Sequence, residues 1–144
     1  MINSWVQSLG LLILRVSFGT MMLAGHGLPK LLEFSSRASS FPDLIGVGSY
    51  FSLVLAIAAE FFCSVLLILG IGTRLAVLPL IVTMLVAATM FHGADPWAKK
   101  ELAVCYLSAF IVIFICGGGG ISLDRLLWRW MRGSKASRSS KPGK

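Results

Sequence analysis

Residues 75 to 94 contain no Lys, Arg, Asp or Glu, and neither do residues 102 to 123. Residues 44 to 73 contain one charged side chain, Glu60, and residues 1 to 29 contain one, Arg15. Uncharged runs of this length, following one another through 144 residues, cannot form the wetted surface of a soluble domain. A helix needs roughly 20 mostly apolar residues to cross a hydrocarbon core of about 30 Å. Composition agrees: 56% of the chain is apolar, 13% is charged and the mean hydropathy is +0.84. A soluble domain carries about a quarter charged residues. A disordered chain, a secreted disulfide scaffold and a soluble enzyme are thereby excluded.

Four stretches meet the length test: Ser8–Leu28, Ser49–Ile71, Leu75–Phe91 and Leu102–Gly117. Backbone groups in lipid must bond internally, so these are helices, and barrel strands would be shorter and alternating. The expected fold is an all-α membrane protein, an antiparallel bundle of four transmembrane helices. The first stretch has no basic residue before its apolar run, and Arg15 interrupts that run, so it reads as a retained helix rather than a cleaved signal peptide.

Four spans put both termini on one side. That side holds eight Lys and Arg, from Arg74 and Arg125 to Lys144, against four on the other: Lys30, Arg37, Lys99 and Lys100. The bias places both termini in the cytoplasm and the 30–48 loop outside. The net charge of +7 then faces anionic lipid headgroups rather than nucleic acid. The apolar members of that loop (Phe34, Phe41, Leu44 and Ile45) suggest that it lies on the outer surface of the bundle. Residues 1–127 read as the transmembrane domain and 128–144 as a basic tail. Ser122–Trp130 reads as an interfacial helix and Gly133–Lys144 as disordered.

The informative residues are polar groups at membrane depth. A carboxylate at the bilayer centre is costly unless it faces protein, pairs or takes a proton. Glu60 is such a group, and Arg15 is the expected partner. The pair reads either as a lock between the first two helices or as an anchor for a ligand. His26 and His92 end the first and third helices, and Glu101 begins the fourth. These three read either as caps of helix ends or as a polar mouth that binds a headgroup or quinone ring. No metal site is expected, since no helix carries two ligands at coordinating spacing. Cys63, Cys105 and Cys116 contain no Cys-x-x-Cys, and their default role is apolar packing. No nucleotide fingerprint or nucleophile set is present, so no catalytic residue is assigned.

Leu12-Ile13-Leu14-Arg15-Val16, followed by Gly25-His26-Gly27-Leu28-Pro29-Lys30-Leu31, resembles the opening of the DoxX family. Glu60 with Leu66–Arg74, and Glu101 through Gly118–Asp124, continue the likeness in order over residues 9 to 127. The closing Gly-Pro-Gly of such proteins is here Gly117–Gly120, and Phe61-Phe62 stands where small residues are usual. The resemblance implies a small bacterial inner-membrane protein tied to redox chemistry, since the family takes its name from a thiosulfate:quinone oxidoreductase subunit. Two functions follow as expectations. The first is a quinone- or lipid-binding membrane subunit of an oxidoreductase system, with Arg15, His26, Glu60, His92 and Glu101 as its ligand-binding residues. Its partners would be membrane lipids, a quinone, a soluble redox protein or a second copy of the chain. The second is a non-enzymatic scaffold or assembly factor in which those polar groups only fix helix packing.

Overall fold

The computed structural model describes residues 4–127, and these are all-helical, without a strand among them. Helix α1 spans Ser4–Leu32, the short α2 spans Phe34–Arg37, α3 spans Ser49–Leu69, α4 spans Thr73–Phe91 and α5 spans Trp97–Cys116. Helices α1, α3 and α4 are long and apolar enough to cross a membrane. Helix α5 has 20 residues, but Lys99, Lys100 and Glu101 lie in its opening turns. It begins five residues earlier than its charge-free stretch, since its opening turns carry these three side chains on the exposed or half-buried side. Likewise α1 extends past both ends of the expected span. Residues 123–127 are helical, within the expected interfacial helix. Trp128 to Lys144, with the last three residues of that helix and all of the expected tail, lie outside the described residues.

Close approaches fix how α1 and α3 meet. A Cβ on Gly27 would sit 2.5 Å from the Glu60 carbonyl oxygen, and one on Gly19 would sit 2.7 Å from the Ile68 side chain. One on Gly70, just past the end of α3, would sit 2.5 Å from Arg15 Nη1. Residues rising in number along α1 therefore meet falling numbers along α3, so the two helices run in opposite directions. Gly70 also has φ +74°, a left-handed exit from α3 that favours glycine. The hydrophobic core centres on the packing of α4 against α5. There Val77, Leu80, Met84, Tyr106, Phe110 and Ile113 are buried with Met22 and Leu67.

Each of these three long apolar helices is interrupted by a π-turn: Leu23–Gly27 in α1, Ala58–Cys63 in α3 and Ala87–Phe91 in α4. Such turns are rare, and when present they mark functional places more often than chance. The first has a visible cause. Pro29 lacks an N–H and its ring would collide with the carbonyl four residues back, so a widened turn before it relieves the clash. The Leu28 amide then bonds the Leu23 carbonyl, five residues back. The His92 amide bonds the Ala87 carbonyl in the same way, at 2.9 Å.

Candidate functional site

The three π-turns lie around one cavity of about 810 Å³. His26, Glu60 and His92 all line it, each in or next to one of those turns. Most of its wall is apolar, from Leu55, Leu78, Val82, Phe91 and Leu102. The segment after α2 forms one side: Phe41, Pro42, Leu44 and Ile45 fold against the opening. Asp43 holds that segment to the start of α3, accepting from the Val47 and Gly48 amides at 3.0 and 2.8 Å and from Ser52 Oγ at 2.8 Å. The Gly48 bond first, then Ser52, keeps the Asp43 carboxyl below the ordinary carboxylate range.

At the floor, Glu60 is 4% exposed and takes a hydrogen-bonded ion pair from Lys30 Nζ. The expected Arg15–Glu60 pair does not form. Glu60 lies opposite Gly27, whereas Arg15 lies opposite Gly70, ten residues further along α3. That offset is about 15 Å at 1.5 Å per residue, beyond the reach of a guanidinium. Lys30 sits one turn past His26 on α1 and folds back to the carboxylate. At the mouth, His92 Nδ1 lies 2.8 Å from Asp95 Oδ2, and Lys99 Nζ lies 3.6 Å from Asp95 Oδ1. The His92 bond is the main cause of a lowered Asp95 carboxyl.

Arg15 and Glu101 are not at this cavity. Arg15, 2% exposed, donates from Nη1 to the Gly118 carbonyl at 2.8 Å and from Nη2 to the Ile121 carbonyl at 2.9 Å. It pins the glycine segment after α5 against the α3–α4 turn. Gly120 N donates to Ser8 Oγ at 3.0 Å, closing the same contact from α1. Asp124 completes it. Its carboxylate accepts from Gly72 N at 2.7 Å, Thr73 N at 3.0 Å and Thr73 Oγ1 at 3.1 Å. Burial raises the Asp124 carboxyl, but these hydrogen bonds outweigh it and the group stays below its ordinary range. Glu101 is exposed a full turn inside α5 rather than capping its start. Phe61 and Phe62 do not line the cavity, and Phe62 points away with 57% exposure.

Lys30 and Tyr106 are among the cavity residues that sequence reasoning missed. Lys30 could have been found from its place one turn beyond His26. Tyr106 belongs to the buried stripe Ala103, Tyr106, Phe110 and Ile113 of α5 and lines the cavity from there. Its ring meets His26 edge-on at 5.7 Å and Phe18 at 5.6 Å. Among the described residues, no three His, Cys, Asp or Glu side chains come together as a metal-binding group. All three cysteines are free thiols, with Cys105 and Cys116 exposed.

No curated protein and no solved structure matches the chain. A family model does: that of DoxX, over residues 10–93. The matched span holds Arg15, His26, Lys30, Glu60 and His92, together with all three π-turns, and stops before α5. With more than half of its length inside that match, the chain belongs to the DoxX family.

Proposed function

We propose that this chain is a multi-pass protein of the bacterial inner membrane that holds an amphiphile, a quinone or a lipid, as the membrane subunit of a redox system. The observation that carries this reading is the cavity, an apolar wall ending on the buried Lys30–Glu60 pair and His26. Ligand pockets are commonly concave, mostly apolar and set with a few convergent polar groups. Native mass spectrometry of gently extracted protein tests it. One tightly held amphiphile is expected on the wild type, and Ala87→Trp, which puts an indole on the cavity wall, removes it. If neither protein carries an adduct, the scaffold reading replaces this one. That reading has its own support, because Arg15 and Glu60 are both bonded within the protein.

In the proposed arrangement α5 crosses with α1, α3 and α4 as an antiparallel four-helix bundle with both termini cytoplasmic. The excess of Lys and Arg on the terminal side supports it. With the native cysteines replaced by alanine, Ser39→Cys in whole cells reacts with an impermeant maleimide, and Ser137→Cys does not. The reverse labelling pattern would overturn the orientation.

A further inference from the structure

Every full charge lining the cavity is already matched within the protein. Lys30 holds Glu60 at the floor, where the side chains are 17% and 5% exposed. At the rim, Arg37 Nε donates to Glu33 at 2.7 Å, and Lys99 and His92 share Asp95. Exposed rim pairs are weak and rearrange readily. The floor pair is different. An anionic headgroup could use Lys30 only by taking it from Glu60, which would leave a buried carboxylate unpaired.

Two polar groups of the cavity have no such match. Among the described residues no protein group hydrogen-bonds the His26 imidazole or the Tyr106 hydroxyl. Tyr106 is 3% exposed, yet its hydroxyl is not one of the sealed, partnerless polar atoms, which are Arg15 Nε and Ser64 Oγ. Tyr106 lines the cavity beside His26. The two rings stand edge to face, 5.7 Å between centroids. A phenol both donates and accepts, and a neutral imidazole does each at one nitrogen. Together they can hold a carbonyl or a hydroxyl oxygen.

We propose that the cavity takes an amphiphile with an uncharged head, whose carbonyl or hydroxyl oxygen is bound by Tyr106 and His26, and that it rejects anionic headgroups. This rests on the cavity reading above and adds the class of ligand and the residues that select it. The apolar wall of Leu78, Val82 and Leu102 takes the tail. A quinone ring and a diacylglycerol share the required chemistry, whereas a phosphatidylglycerol does not.

The test titrates delipidated full-length protein in neutral detergent, read by native mass spectrometry. The probes are decylubiquinone, dioctanoylglycerol and dioctanoylphosphatidylglycerol. One equivalent of a neutral probe is expected to bind, and the better of the two names the source of the head. Tyr106→Phe removes a single hydrogen bond and weakens the neutral probe about three- to tenfold, with an unchanged unfolding midpoint. His26→Phe does the same. The phosphatidylglycerol binds more weakly and does not respond to Tyr106→Phe. Neutral binding that ignores both substitutions, but is lost in Ala87→Trp, overturns the proposal and leaves the cavity reading standing. So does tightest binding of the anionic probe at the same place. Binding of every probe that ignores Ala87→Trp overturns both.

Discussion

Lys30→Met lowers the unfolding free energy by about 3–5 kcal/mol, the loss typical when one partner of a buried pair is removed. The substitution keeps the length and the apolar stem, so what disappears is the charge that faces Glu60. The carboxylate, 4% exposed among helices, must then either stay ionised without a partner or take a proton. Replacing both residues, as Lys30→Met with Glu60→Leu, removes the stranded charge and recovers most of the loss, so a double-mutant cycle gives a large coupling. The same cycle run between Arg15 and Glu60 gives additive losses, since the two do not touch. Reversible unfolding in mixed detergent micelles measures the five variants and the wild type. Additivity for Lys30 with Glu60, or coupling for Arg15 with Glu60, would refute the pairing.

Arg15→Met is the second large effect, about 3–5 kcal/mol by the same measurement. Two charge-assisted bonds to main-chain carbonyls are lost, each contributing about 1.5–3 kcal/mol. Arg15→Lys recovers only part of it, because a single ammonium cannot match the planar fork that spans two carbonyls. The damage is local. Amide exchange quickens across residues 117–121 and at Asp124, whose amide donates to the Gly70 carbonyl at 3.0 Å. Binding at the cavity stays unchanged, since Arg15 is not part of its lining. A loss of ligand equal to the loss of stability would show instead that the two ends of the molecule act as one unit.

The long apolar helices were legible because the cost of placing charge in hydrocarbon leaves each with very few charged residues. Of the five residues expected at a site, His26, Glu60 and His92 line the cavity, Glu60 picked out by its depth and the two histidines by their place at helix ends. What the sequence did not carry was register between helices. Depth counted along separate helices puts Arg15 within reach of Glu60. The contacts of Gly27 with Glu60 and of Gly70 with Arg15 show that the two helices meet ten residues out of that alignment. Glu101 was misplaced by a boundary, because α5 starts at Trp97 and not at the end of the charged patch. The segment after α2 was expected on the outer surface of the bundle, and it forms a wall of the cavity, held by Asp43 rather than by any regular element.

A π-turn amounts to one residue too many in an α-helical count. An α-helix advances 100° and 1.5 Å per residue, so removing that residue would turn and shift all that follows. In α1, the part that follows carries Lys30. Deleting Ala24 would remove the extra residue while leaving every named site residue in the chain, yet it would force Pro29 against the carbonyl four residues back and swing the ammonium about a quarter-turn away from Glu60. The partnership at the cavity floor is thus encoded by a length as much as by an identity. A homologue lacking that single position could match at Lys and Glu and still have no ion pair between them.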